Sequence, residues 1–171
     1  MKQLGDYIRN IADFPQPGIQ FKDITPLVRQ PDMLRQVTRQ LVEPFRQKDI
    51  TAVAGMEARG FIFGTLCALE LDVGFVPLRK PGKLPYDVQS IAYQLEYGTA
   101  ELEIHNDALA HGDRVLLVDD LIATGGTARA SCELIRQLGA EVAGIAFVIE
   151  LDSLKGREQL RDYEVHSLLH Y

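Results

Sequence analysis

The chain has 171 residues, a formal net charge of −6 and 46% hydrophobic residues. This length can bury a core but is short for two ordinary domains, so we expect a single domain over residues 1–171. The acidic balance argues against nucleic acid as the main partner, and the sequence contains no apolar run of membrane-spanning length. The first residues lack the apolar segment of a signal peptide, which predicts a cytoplasmic protein.

The predicted elements alternate between helical and strand-like segments. This order is typical of an α/β fold, in which a mainly parallel, twisted sheet is flanked by helices. The first predicted element is a helix capped by Asp32 that runs to about residue 46, followed by a strand at 50–54, a helix at 60–71 and a strand at 73–78. A strand at 115–118 comes next, then a helix that runs to about residue 138 and is ended by Gly139. The last elements are a strand at 142–149, a short helix near 153–160 and a final strand near 163–168.

Two segments do not fit this alternation. Residues 14–26 contain three prolines and a glycine, which predicts a segment without regular structure. Residues 88–104 alternate in part around a Glu-Tyr-Gly turn, which favours a β-hairpin.

Two cysteines, Cys67 and Cys132, lie inside helical patterns and lack the Cys-x-x-Cys spacing of metal and redox motifs. Free cysteine is among the residue types most often buried in proteins. We therefore expect two buried thiols.

The most informative segment runs from residue 115 to residue 128. Four apolar residues place Asp119 and Asp120 at the carboxyl end of a buried strand, where open α/β sheets bind ligands. The loop that follows has no side chain larger than threonine, so its backbone N–H groups can approach a phosphate, and the next helix directs its positive end there. The loop residues are Ala123, Thr124, Gly125, Gly126 and Thr127.

Other glycine-rich motifs fit this segment poorly. No lysine follows the second glycine, as a P-loop requires, and the spacing is not the Gly-x-Gly-x-x-Gly of dinucleotide-binding folds. Receiver domains carry an acidic pair near their start, whereas this pair lies late in the chain. The segment resembles the phosphoribosyl pyrophosphate (PRPP) motif of the type I phosphoribosyltransferases, in which the carboxylates hold the ribose hydroxyls and the loop holds the 5-phosphate.

Five further segments, in the same order, resemble the adenine-specific members of that family. They are FPQPGIQFKDITP at 14–26, GMEARGF at 55–61, RKPGKLP at 79–85, LEYG at 95–98 and SLKGRE at 153–158. The resemblance implies transfer of ribose 5-phosphate from PRPP to N9 of adenine, which gives AMP and pyrophosphate. A phosphoribosyltransferase for another purine, or a PRPP-sensing regulator of the same fold, is the alternative.

The resemblance also implies a cofactor and an assembly. Mg²⁺ is expected to be held mainly by PRPP oxygens near Asp119 and Asp120, without a dedicated protein site, because Mg²⁺ gives up its water reluctantly. A homodimer is expected because relatives form one.

Pyrophosphate binding is implied for two segments. The first is the loop after the strand at 50–54, where relatives have an unusual main-chain conformation, expected to be a cis peptide between Glu57 and Ala58. The second is the basic turn at residues 79–85. Without the resemblance, this turn could equally be a charged loop exposed to solvent. The residues concerned are Glu57, Ala58, Arg59, Arg79, Lys80 and Lys83.

Catalysis and base recognition are implied for three other regions. Glu96 matches the family's loop glutamate that takes the N9 proton, and Tyr97 closes with it on a flexible loop at about residues 83–104. Arg59 is expected to reach the base and ribose as well as pyrophosphate. Adenine is expected under a hood formed by about residues 1–30, read largely by main-chain groups of Ile19, Gln20, Phe21 and Lys22. Some relatives have a small apolar residue at position 20 and arginine at position 22.

Overall fold

The computed structural model describes residues 3–94 and 98–171, and these residues form nine strands and four α-helices. The strands are β1 Arg9–Ala12, β2 Gln20–Asp23, β3 Ala52–Met56, β4 Gly74–Leu78, β5 Val88–Gln94, β6 Thr99–His105, β7 Arg114–Ile122, β8 Glu141–Glu150 and β9 Val165–His170. The helices are α1 Thr25–Val28, α2 Pro31–Val42, α3 Gly60–Leu71 and α4 Gly126–Gln137. Short 3₁₀ helices lie at Leu4–Tyr7, Glu43–Phe45, Asp152–Leu154 and Gly156–Leu160.

The main sheet has five strands in the order β4-β3-β7-β8-β9, and every neighbouring pair in it is parallel. This confirms the predicted α/β architecture. The hood strands β1 and β2 form a separate antiparallel pair, and β5 and β6 form the predicted hairpin. Within the described residues no helix is long and apolar enough to cross a membrane.

The central strand β7 supplies both faces of the sheet with core residues. Val115 and Leu117 pack in the cluster that contains residues of α4, whereas Leu116 and Val118 pack in the cluster that contains residues of α2 and α3. This alternation is the period of two that every strand has. The alternation does not continue unchanged beyond the apolar run, because Leu121 packs against the cluster that contains residues of α2 and α3, whereas Ile122 packs in the cluster that contains residues of α4.

Both cysteines are buried, as predicted: Cys67 is 0% exposed and Cys132 is 1% exposed. Burial raises the pKa of each thiol to about 12. Neither cysteine therefore has the depressed pKa that a nucleophilic thiolate needs.

Three local predictions are wrong. Asp32 lies in the first turn of α2, whose cap is Gln30, and the helix ends at Val42. A 3₁₀ turn that contains a proline follows this end. Residues 14–26 are not irregular throughout, because they contain β2 and the start of α1. The proline pattern does not reveal that β2 gains its backbone partners from β1.

Two further boundaries differ at the carboxyl end of the sheet. The pairing of β7 with β3 stops at Val118, but its pairing with β8 continues to Ile122, so the acids lie within the strand rather than after it. The short helix predicted near 153–160 is two 3₁₀ helices, separated where Lys155 adopts φ +53°.

Candidate active site

A cleft of about 190 Å³ opens at the carboxyl edge of the sheet. It lies between the ends of β3, β7 and β8 and the loop that leads into α4. Its lining combines one acid of β7, the small residues of the loop and apolar residues of the neighbouring strands. These residues are Met56, Glu57, Asp119, Leu121, Ile122, Ala123, Thr124, Gly125, Gly126, Thr127, Ala128 and Phe147. All five predicted loop residues therefore line one cavity, as an anion site at a helix N-terminus requires.

The loop packs against the 3₁₀ helix at Gly156–Leu160 so closely that two positions admit only glycine. A Cβ at Gly125 would lie 2.3 Å from the carbonyl oxygen of Gly156, and Gly125 has φ +85°. A Cβ at Gly156 would lie 2.2 Å from the carbonyl oxygen of Ala123. Backbone packing between these two segments therefore sets the shape of the loop.

Side chains outside the motif fix the loop further. Gln159 Nε2 donates to the Thr124 carbonyl oxygen over 2.9 Å, and Arg129 donates to the Gln159 carbonyl over 3.2 Å. The Tyr93 hydroxyl lies 3.2 Å from the Thr127 hydroxyl, so the β5–β6 hairpin also touches the loop. The sequence did not indicate these supports, because the partners are more than 25 residues apart in the chain.

The two acids have different environments. Asp119 lines the cleft, whereas Asp120 is 3% exposed and accepts a hydrogen bond of 2.5 Å from Arg59 Nε. Burial raises the pKa of the Asp119 carboxyl well above its usual range, and the adjacent charge of Asp120 adds to this effect. A cation or a hydroxyl donor that entered the cleft would stabilise the ionised form of Asp119.

Arg59 connects the acid pair to the hood. Besides its contact with Asp120, its guanidinium carbon lies 5.6 Å from the centre of the Phe21 ring. The Phe21 ring in turn meets Phe14 edge to face, with ring centroids 5.1 Å apart. The structure thus joins three predicted site residues in one chain of contacts: Asp120, predicted for ribose, Arg59, predicted for pyrophosphate and catalysis, and Phe21, predicted for adenine.

The predicted pyrophosphate residues also come together, but around a carboxylate. Glu57 accepts from Arg79 Nε over 3.2 Å and from the Lys80 backbone N–H over 3.0 Å, and it lies 3.1 Å from Lys83 Nζ. Burial alone would raise the pKa of Glu57, but these hydrogen bonds outweigh it and lower the pKa to about 2. The Glu57–Ala58 peptide bond is cis, as predicted. The basic turn is therefore paired with Glu57 rather than free in solvent.

Three of the four predicted adenine residues line a second cavity, of about 410 Å³, between the hood and the chain after β8. They are Ile19, Gln20 and Lys22, and Leu151 and Leu154 form part of the opposite wall. Phe21 lies on the other face of β2, next to Arg59, because strand residues alternate. The hood therefore presents a different set of side chains on each side.

Two assignments fall outside the described residues, namely Glu96 and Tyr97, which lie between β5 and β6 in the chain. Their assigned roles stay predictions. Leu121 was not predicted for the site, although it lines the cleft between the acid pair and the phosphate loop. Its position two residues after Asp119 in a strand was the available signal, since such residues share a face.

Comparison with known proteins gives a consistent result. Residues 23–169 match the family model described as the phosphoribosyl transferase domain. Adenine phosphoribosyltransferases of Methylococcus capsulatus and Nitrosococcus oceani are 71% and 67% identical to the chain, over the full length of both partners. The crystal structure of adenine phosphoribosyltransferase from Rhodothermus marinus is 53% identical and superposes with a TM-score of 0.94, covering 98% of this chain and 96% of that one.

A further solved structure contains a bound base. Adenine phosphoribosyltransferase from Saccharomyces cerevisiae, complexed with adenine and an imino-altritol bisphosphate, is 42% identical, with a TM-score of 0.91 and 96% coverage of both chains. These matches extend over the hood, the sheet and the phosphate loop together. The chain therefore has the type I phosphoribosyltransferase fold and belongs to the adenine phosphoribosyltransferase family.

Proposed function

We propose that this protein transfers the ribose 5-phosphate group of PRPP to N9 of adenine. The bond from the anomeric carbon to the pyrophosphate oxygen breaks, a bond to N9 forms, and the N9 proton leaves, giving AMP and pyrophosphate. The observation that carries this proposal is the cleft in which Asp119 faces a phosphate-sized loop at a helix N-terminus. The relatives' names support the choice of adenine.

The sugar phosphate is assigned to the cleft. Backbone N–H groups of residues 123–127 and the Thr124 and Thr127 hydroxyls would hold the 5-phosphate. Asp119 would accept hydrogen bonds from the ribose hydroxyls. Asp120 would contribute its negative charge beside the ribose and would also hold Arg59 in place. Negative charge beside the ring also stabilises the cationic character that the anomeric carbon gains as pyrophosphate leaves.

Pyrophosphate is assigned to the basic turn and to the loop that contains Glu57. Glu57 is paired with Arg79 and Lys83, and the departing polyanion would compete with it for these two cations. The Lys80 backbone N–H and the peptide groups beside Ala58 provide further donors. Arg59 directly follows Ala58 in this loop and lies near Phe21 of the hood, so it is placed to contact the sugar, the pyrophosphate and the base.

The base is assigned to the hood. Because β2 pairs only with β1 among the described strands, alternate residues of β2 have free backbone N–H and C=O groups along their outer edge. We assign the N6 donor of adenine to a main-chain carbonyl, and its N1 acceptor to a main-chain N–H, of residues 19–22. A 6-oxopurine reverses this pattern and would leave buried polar groups unpaired.

Proton removal from N9 is assigned to Glu96, with Tyr97 closing beside it. The hairpin that bears them is anchored at its base, where Leu102 and Ile104 are buried. Motion during substrate entry is proposed for the loop at about residues 83–104.

Mg²⁺ is proposed as the cofactor, and the donors present fit a minor protein share in its binding. Asp119 offers carboxylate oxygens, which Mg²⁺ prefers, but Asp120 is already paired with Arg59, so most ligands would come from PRPP and water. Among the described residues, Glu150, Asp152 and His170 could also gather around an ion, but none of them lines the cleft. When bound, Mg²⁺ neutralises charge on the pyrophosphate that leaves.

A homodimer is proposed as the working assembly. An apolar groove between α2 and α3 supports it, since Leu69 is 74% exposed there beside Leu34 and Leu66. Exposed apolar patches of this kind mark interaction surfaces. Light scattering of wild type and of Leu69→Lys tests this assembly. A monomeric wild type would contradict it.

A cytoplasmic location is also proposed. The two free buried thiols support it, because disulfides are rare in that compartment.

The activity is tested with purified protein, PRPP, Mg²⁺ and a panel of adenine, hypoxanthine, guanine and xanthine. Formation of AMP and pyrophosphate, with adenine preferred by several powers of ten in kcat/KM, is the expected result. Equal use of hypoxanthine or xanthine would overturn the choice of base. PRPP binding without turnover of any base would favour the sensing regulator. The Asp119→Asn, Asp120→Asn double variant is the control for contaminating activity.

A further inference from the structure

The hood strand β2 is held on both of its faces. On one face Phe21 lies against Arg59 and Phe14. On the other face the Lys22 ammonium lies over the ring of Tyr171. Because β1 and β2 form a sheet separate from the main sheet, these side-chain contacts, together with the buried Ile8 and Ile24 that flank the pair, locate the strand relative to the body of the protein.

The contact of Lys22 is close and has a second partner. Its Nζ atom lies 3.6 Å from the Tyr171 ring centroid and donates to Asn10 Oδ1 over 2.7 Å. Asn10 is the residue directly opposite Lys22 in the β1–β2 register. A cation within about 6 Å of an aromatic ring centre is attracted by the ring quadrupole. One ammonium group therefore joins both hood strands to Tyr171.

Tyr171 itself is fixed to the body by its backbone. Its N–H donates to the Glu150 carbonyl over 3.0 Å, and its carbonyl accepts from the Asp152 N–H over 2.8 Å. The Glu150 side chain is held by Arg157 through two contacts of 2.9 and 2.5 Å. The ring thus projects toward the hood from the end of the main sheet.

We propose that Lys22 and Tyr171 form a clamp that positions the backbone edge of β2 for the purine base. The clamp rests on the proposed function, since it matters for catalysis only if that edge reads adenine. Both residues also line the cavity between the hood and the chain after β8. They act as positioning residues, because their side chains set where the strand lies while its main chain makes the contacts.

The clamp predicts a selective effect on the base. Removing the ring by Tyr171→Leu, or the charge by Lys22→Met, should raise the adenine KM about 3- to 30-fold, the range that a cation–π contact covers. The PRPP KM should stay within about twofold, because the phosphate loop is supported by other residues. Tyr171→Phe keeps the ring and should keep the wild-type adenine KM. The double variant should be no worse than Lys22→Met alone, since that change already removes the contact with the Tyr171 ring as well as the hydrogen bond to Asn10.

A second measurement does not depend on turnover. Amide hydrogen exchange of residues 9–23 in the free protein should be faster in Tyr171→Leu than in wild type and unchanged in Tyr171→Phe. Equal exchange in the leucine variant would overturn the clamp, whichever base the enzyme uses. An equal rise in the PRPP and adenine KM values would also contradict the clamp, because it would show that Tyr171 supports the whole structure rather than the position of β2. Failure of wild type to use adenine would overturn the proposed function, while the exchange experiment would still decide the clamp.

Discussion

Replacing Gly125 by alanine should disturb the phosphate loop strongly. The new Cβ would lie 2.3 Å from the Gly156 carbonyl oxygen, whereas real Cβ atoms essentially never approach closer than 3.0 Å. One of the two backbones must therefore move by at least about 0.7 Å. The glycine also has φ +85°, which adds a conformational cost for any residue with a side chain.

Two contributions set the size of the effect. A left-handed conformation costs alanine about 1–2 kcal/mol, and this lowers the free energy of unfolding. A shift of the loop also weakens its hydrogen bonds to the 5-phosphate, each worth about 1.5–3 kcal/mol because the acceptor is charged. Loss of one such bond lowers kcat/KM for PRPP by roughly 10- to 150-fold.

The matched control is Gly112→Ala, because Gly112 has φ +87° but nothing within 4 Å of an added Cβ. Initial rates over a range of PRPP concentrations, with thermal melts of both variants, separate the two contributions. The left-handed conformation should cost each variant about 1–2 kcal/mol of stability, the contact with Gly156 should add to the loss in Gly125→Ala, and only Gly125→Ala should lose activity. If folded Gly125→Ala has kcat/KM for PRPP within about threefold of the control, backbone packing does not set the loop geometry.

Four further outcomes are expected. Changing both Asp119 and Asp120 to asparagine should abolish turnover by removing charge beside the ribose, and near-normal initial rates in the folded variant would remove the PRPP assignment. Glu96→Gln should lower kcat by about 10²-fold with little change in PRPP binding, measured in single-turnover experiments. Glu57 has its folded pKa lowered from 4.5 to about 2, so its stabilising effect is present above pH 4.5 and is lost as the pH falls from there toward 2. Urea unfolding should therefore show a steeper loss of stability in that range for wild type than for Glu57→Gln. Gln20→Ala should leave adenine preferred in the base panel, since the backbone is proposed to read the base.

Local sequence patterns were sufficient for the parts of the site that are continuous in the chain. The run of four apolar residues, two acids and a loop without large side chains predicted a phosphate cleft at the edge of the sheet. The structure places residues 123–127 around one cavity there. The hairpin at 88–104 followed from its alternation, and both buried thiols followed from their helical surroundings. These features depend on neighbours within a few residues, which a sequence displays directly.

The contacts between distant segments were decided only by the tertiary structure. The sequence placed Asp119 and Asp120 together, but only the structure shows that Asp119 lines the cleft and that Asp120 pairs with Arg59. Nothing local indicated that Glu57 would hold the basic turn, or that Gly156 would touch the phosphate loop. Such contacts depend on the pairing register of parallel strands and on the close approach of two backbones. Both are set by packing across the whole sheet, because residues far apart in the chain meet only after the core has formed.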